Sequence, residues 1–115
     1  MARPIDPRVV PYPPERAARY LASGAWDATP LAGRFRAVAD RFGTRTAVIN
    51  QLDSITYAEL DVRSDQVAAA ILERGIRPGD PVLFQVGNSV PGVVAWYGVL
   101  KAGAAGRHPC GPPCA

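Results

Sequence analysis

From Ser54 to Gly103 the order of apolar and polar positions predicts a strand, a helix, a strand and a helix. Thr56 is suited to cap the first of these helices, and Glu59 three residues on gives Thr56-Tyr57-Ala58-Glu59 the form of a capping box. Behind it Leu60, Ser64, Val67, Ala68 and Ile71 recur at helical spacing, with Asp61, Arg63, Asp65 and Arg74 assigned largely to the other side. Gly75 can take the left-handed backbone that ends such a helix. Pro78-Gly79-Asp80 then turns the chain into Pro81 to Val86, a short apolar run of buried-strand type. Asn88 or Ser89 caps the second helix, with Pro91 tolerated in its first turn. Val90, Val93, Val94, Tyr97 and Leu100 line one face, while Ala95, Trp96 and Val99 fall on others. A helix apolar nearly all round is expected to be buried.

Upstream, Glu15 to Leu21 reads as a short helix that Gly24 ends, with Pro14 in or just before its first turn. Thr29 and Pro30 mark the start of another, as cap and first helical residue. Leu31, Phe35, Val38, Ala39 and Phe42 form its apolar stripe, for which core packing is the default and an interaction face the alternative. Thr46 to Asn50 is rich in β-branched residues, and Gln51-Leu52-Asp53 reverses the chain into Ser54-Ile55-Thr56, a hairpin signal without glycine. The fold class is therefore α/β: helix, helix, β-hairpin, helix, strand, helix. No internal repeat is visible.

The segments "TYAEL", "GIRPGD" before an apolar strand, "GNSV" and "YGVLKAGA" together resemble the amino-terminal part of the AMP-forming acyl-CoA synthetases. These belong to a superfamily of acid-activating ligases that includes aryl-acid adenylating enzymes and luciferases. Tyr20 and Trp26 resemble the family's opening "Y…G.W" pattern, although both can equally serve to pack their own segment. The resemblance covers residues 15 to 104, and it implies the opening portion of a ligase domain with an incomplete sheet. Residues 1–14, with five prolines, read as an extended lead-in. Residues 105–115 read as an aberrant Pro/Gly/Cys tail.

The resemblance implies fatty-acid or other carboxylic acid–CoA ligase chemistry: an acyl-adenylate made from Mg-ATP, then a thioester with coenzyme A. Such chemistry needs a Ser/Thr/Gly-rich loop for the triphosphate, a carboxylate for Mg²⁺ and a lysine for the developing charge. The sequence has no such loop, and Lys101, its single lysine, lies in the structural "LKAG" segment. No catalytic, cofactor-binding or metal residue is assigned. No cofactor is expected for this chain itself, while Mg-ATP and CoA are implied for full-length members.

Other chemistry is weakly signalled. Pro78-Gly79-Asp80 could be misread as a phosphate turn, but it opens a strand, whereas a phosphate loop precedes a helix. Asn88 and Ser89 are cap residues first. His108, Cys110 and Cys114 form an H-x-C-x₃-C cluster, one ligand short of an ordinary structural zinc set. Neither cysteine has a base fixed beside it.

Composition narrows the class. The 115 residues amount to at most one ordinary domain, with 48% hydrophobic and 20% charged residues, as in soluble globular proteins. The net charge of +3 comes from arginines scattered among acidic residues, which argues against a nucleic-acid footprint. No secretory signal or membrane-spanning run is visible, and both cysteines lie in the last six residues, so the chain reads as cytoplasmic.

In the family, "LKAGA" leads into an apolar strand. Here Ala105 to Ala115 holds three prolines and two glycines, from which no central strand is expected. The Arg/Pro/Gly/Cys/His composition suggests an out-of-frame tail on a truncated gene. The chain is then expected to be inactive alone, lacking both ATP loop and catalytic lysine. The alternative is a non-catalytic module that complements a separately encoded remainder, or self-associates. A small metal-binding protein is the remote alternative.

Overall fold

The structure, a computed structural model, describes residues 12–107. Two units are distinguished within the chain, Met1–Pro30 and Leu31–Ala115.

In the described part of the first unit, helix α1 (Pro14–Ala22) places Pro14 in its first turn, where the missing N–H costs no hydrogen bond. Trp26 folds back so that its N–H donates to the Tyr20 carbonyl at 3.0 Å. Its ring then lies 5.1 Å from that of Tyr20 and 5.0 Å from that of Tyr12. The two aromatics picked out in the sequence thus pack against each other.

The second unit carries the main core. Helix α2 (Leu31–Phe42) begins one residue after Pro30 and buries Phe35 and Ala39. Only part of the expected stripe is interior, because Leu31 and Val38 remain 61% and 38% exposed. Strands β1 (Thr46–Ile49) and β2 (Ser54–Thr56) form the hairpin, antiparallel and with an irregularity between Thr46 and Val48. Asn50 supplies what the glycine-free turn needs: its Oδ1 accepts from the N–H groups of Leu52 and Asp53 at 2.8 and 2.9 Å.

Helix α3 (Tyr57–Glu73) opens on the full capping box. The Glu59 N–H donates to Thr56 Oγ1 at 3.2 Å, and Glu59 Oε2 accepts from the Thr56 N–H at 2.8 Å. Gly75, at φ 83°, supplies the left-handed turn that ends it. Strand β3 (Pro81–Leu83) is shorter than the apolar run that predicts it. Ser89 caps helix α4 (Val90–Lys101), its Oγ accepting from the Gly92 N–H at 3.2 Å. The core is built by Phe35, Ile55, Leu60, Val90 and Val94, drawn from α2, β2, α3 and α4.

Three expectations are corrected. A further strand does form: β4 (Ala105–Arg107) pairs parallel with β3, in register Pro81↔Ala105 to Leu83↔Arg107. The prolines that would block pairing start only at Pro109, so three residues remain that can make ladder bonds. With α4 as the crossover, β3, α4 and β4 make a βαβ unit. The second correction concerns α4, which is not enclosed on all sides, because Trp96 is 46% exposed. The third concerns Asp61 and Asp65, which are off the apolar stripe of α3 but still meet α4, through Lys101.

Candidate functional site

Among the described residues a polar constellation joins α2, α3 and α4 through four charged side chains. Asp61 and Asp65 stand one turn apart on α3, so both carboxylates project from one face. Lys101, at the end of α4, reaches between them. Its Nζ donates to Asp61 Oδ1 at 2.6 Å, Asp65 Oδ1 at 2.8 Å and the Asp61 carbonyl at 2.9 Å. From α2, Arg36 Nη2 donates to both oxygens of Asp65 at 2.8 and 2.9 Å, while Nη1 lies 3.4 Å from Asp61 Oδ2.

The setting is graded from inside to outside. The Lys101 side chain is 7% exposed and Asp61 13%, whereas Asp65 and Arg36 are 43% and 50% exposed. Lys101 Nζ also lies 5.2 Å from the centre of the Phe35 ring, which itself stacks on Tyr97 at 4.2 Å. Burial opposes ionisation of Asp65, but the hydrogen bonds and charges of Lys101 and then Arg36 outweigh it and hold its pKa below the usual value. Arg36 is shifted upward, chiefly by its hydrogen bond to Asp65 and by the Asp61 charge.

An ammonium group has three N–H donors. All three on Lys101 are used by α3 oxygens, so none is left for a substrate carboxylate or phosphate. The cluster is a clasp between helices. Sequence periodicity alone puts Asp61 and Asp65 elsewhere, since their partner lies 36 to 40 residues away.

The remaining sequence candidates resolve as local structure. In the Arg77–Asp80 turn the Asp80 N–H donates to the Arg77 carbonyl at 3.0 Å, and Asp80 Oδ2 accepts from the Arg77 N–H at 2.9 Å. Ser89 is occupied as a cap. Neither this turn nor Lys101 fits a triphosphate or its metal, because their polar groups are taken up by one another and by α3. Among the described residues no group of three or more His, Cys, Asp or Glu could hold a metal ion. His108, Cys110 and Cys114 lie outside the described residues. No helix among the described residues is long and apolar enough to cross a membrane.

Phe84, Val86, Val93 and Trp96, with Gly87 to Ser89 and Gly92, line an open groove of about 260 Å³ where the β3–α4 loop meets α4. Its lining is uncharged, and Phe84 meets Trp96 edge to face at 5.9 Å.

A family described as AMP-binding enzyme matches residues 35–107. The match thus extends beyond Ala104 to the end of β4. Salicyl-AMP ligase / salicyl-S-ArCP synthetase of Mycobacterium tuberculosis is 42% identical over 100 residues, 83% of this chain and 18% of the relative. Salicylyl-CoA synthase / salicylate adenylyltransferase of a Streptomyces species is 35% identical over 96 residues, 84% of this chain and 17% of the relative. The apo structure of Mycobacterium smegmatis MbtA superposes with a TM-score of 0.78 at 42% identity, covering 87% of this chain and 19% of that one. The chain spans less than a fifth of the length of the curated relatives described here.

Proposed function

The chain belongs to the AMP-binding enzyme family, and from that premise we propose that it is the amino-terminal element of an adenylate-forming ligase for an aromatic carboxylic acid. The observation that carries this reading is the 42% identity over 100 residues to a salicyl-AMP ligase. A second salicylate-activating relative supports the same substrate class, so the fatty-acid emphasis of the sequence resemblance gives way to aryl acids. The reaction is acyl-adenylate formation from the acid and Mg-ATP, followed by transfer to a thiol. The two relatives' names give ArCP and CoA as acceptors.

In this reading the chain's own contribution is architectural. Residues 31–107 pack α2, the hairpin and α3 with the βαβ unit of β3, α4 and β4, and Lys101 clasps the helices, while the nucleotide loop, the metal carboxylate and the catalytic lysine come from the remainder of the ligase. Alone, the chain neither binds ATP nor turns over. Its site of action is the cytoplasm, where ATP is available.

A chimera tests the proposal. The matching stretch of the Mycobacterium tuberculosis salicyl-AMP ligase is replaced by this chain, and salicylate-dependent ATP–pyrophosphate exchange is measured. Exchange within about tenfold of the parent is expected, and a parallel graft into a fatty-acid AMP ligase should lose far more. Equal loss in both hosts would overturn the aryl-acid assignment.

A further inference from the structure

β4 ends beside the groove where the β3–α4 loop meets α4. The strands run parallel with Arg107 paired to Leu83, so the chain leaves β4 level with the residue before Phe84. Phe84 is both a wall of the groove and a neighbour of β4. A Cβ built on Gly106 would stand 3.3 Å from the Phe84 ring and 3.6 Å from Val99 Cγ1 of α4, so both lie on the sheet face that α4 covers. Trp96, exposed on α4, meets the Phe84 ring edge to face at 72°. Val86 and Val93 complete the apolar lining, and no charged side chain enters it.

An open, uncharged groove walled by two aromatic rings suits a proline-rich segment in the polyproline II form, which has little entropy left to lose on docking. With three residues per turn, such a segment puts every third residue on one edge, ~9 Å apart. The residues that follow β4 have this character. Residues 108–115 read His-Pro-Cys-Gly-Pro-Pro-Cys-Ala, with Pro109 and Pro112 in P-x-x-P spacing. They contain no Asp, Glu, Lys or Arg, so nothing in them asks for a charged partner. Reach is sufficient, because one residue separates Arg107 from Pro109 and each extended residue spans ~3.3 Å.

We propose that the Phe84–Trp96 groove is a proline-recognition site, and that residues 109–113 of the same molecule dock in it with Pro109 and Pro112 laid against the two rings. The occupant follows from place as well as chemistry. A segment tethered at the mouth of a groove has an effective concentration of about a millimolar, which a free peptide seldom matches. The contact belongs to this chain alone and does not rest on the aryl-acid reading.

Two measurements on the full 115-residue chain, kept reduced and free of metal, test the contact. In proton NMR, proline ring protons held against an indole are moved upfield by its ring current. Such shifted signals are expected, and Trp96→Leu, which keeps an apolar side chain, should return them to their ordinary positions. In a Trp26→Phe background Trp96 is the single tryptophan, so its fluorescence reads the groove. Pro109→Ser with Pro112→Ser should raise acrylamide quenching of Trp96 at least twofold. Pro4→Ser with Pro7→Ser, a change of the same kind at the other end of the chain, should not. Circular dichroism of each variant separates lost docking from lost folding, and the serine variants alter nothing in α4 or β3.

Proline signals at ordinary positions in the native chain would overturn the proposal, as would quenching of Trp96 that the two serines leave unchanged. Shielding of Trp96 that disappears on dilution would assign the groove to the tail of a second copy and also overturn it. Shielding that appears only with added zinc, and is lost with Cys110→Ser, would give the tail a metal site in place of the proline contact.

Discussion

Lys101 Nζ lies 2.6 Å from Asp61 Oδ1, although forty residues of chain separate them. The contact ties the end of α4 to the first half of α3, and Asp65 and Arg36 carry it outward to α2. Its inner members are shielded from water and its outer members are not. Loss of the lysine therefore strands a carboxylate that is only 13% exposed.

Lys101→Met keeps most of the aliphatic stem and removes the charge. Breaking a buried pair costs about 3–5 kcal/mol where the abandoned partner has no relief. Here Arg36 still reaches Asp61 at 3.4 Å and Asp65 is 43% exposed, so a loss of about 2 kcal/mol is expected. Urea unfolding checks it. In the double variant with Asp61→Asn the cost should be less than the sum of the singles, as for groups in one network.

The clasp marks the boundary of what the sequence reveals. Caps at Thr56 and Ser89 and the glycine end of α3 are legible because donor and acceptor sit within a few residues of each other. The faces of α3 were legible only on its apolar side. Helical spacing groups Leu60, Ser64 and Ala68 correctly, but it cannot see that Asp61 and Asp65 meet a cation from another helix. β4 is hidden from the sequence for a related reason. A three-residue strand depends on main-chain pairing with β3, and the composition of Ala105 to Ala115 as a whole hid it. Trp96 falls on a helix expected to be buried, but apolar periodicity does not say what covers each face, and in the structure Trp96 is 46% exposed.

Acid should destabilise the chain through Asp65 of the clasp and Glu59 of the capping box. Glu59 is held below its usual value of 4.5 mainly by hydrogen bonds from the Thr56 backbone and side chain, and Asp65 is held below 3.8. A lowered folded-state pKa contributes stability that is present above the ordinary value and is lost as pH falls through the folded one. Stability should stay level from about pH 7 to 5 and decline below about pH 4. Asp65→Asn and Glu59→Gln should each flatten that decline, as followed by circular dichroism. A decline that begins near neutrality, or that both variants leave intact, would contradict this.

Thr56→Ala removes the acceptor for the Glu59 N–H and the hydroxyl that donates to Glu59 Oε2 at 2.9 Å. A loss of about 1 kcal/mol is expected for an N-cap of this kind. Thr56→Ser keeps both bonds and should recover most of it. Full loss in the serine variant would point to strand packing at Thr56, which pairs with Thr46, and not to the cap.

Gly98 sets how closely α3 and α4 approach. A Cβ built there would stand 2.6 Å from Val67 Cβ and 3.2 Å from the Ser64 carbonyl oxygen, inside van der Waals contact with both. Within a helix, Gly→Ala ordinarily stabilises by about 1 kcal/mol. Here the added methyl must push α4 away from α3, and overpacking of this sort costs about 1–3 kcal/mol. The displacement would also strain the Lys101 clasp, which spans the same two helices three residues later. Gly98→Ala should therefore destabilise the chain in spite of its helix propensity. Val67→Ala in the same molecule removes the γ methyl that also meets this site but keeps the Cβ, so the cost of Gly98→Ala should shrink only in part in that background. A double-mutant cycle by urea unfolding reads the coupling. Additive effects would show that the helices separate without resistance, and that the small residue at position 98 is not what holds α3 and α4 at this distance.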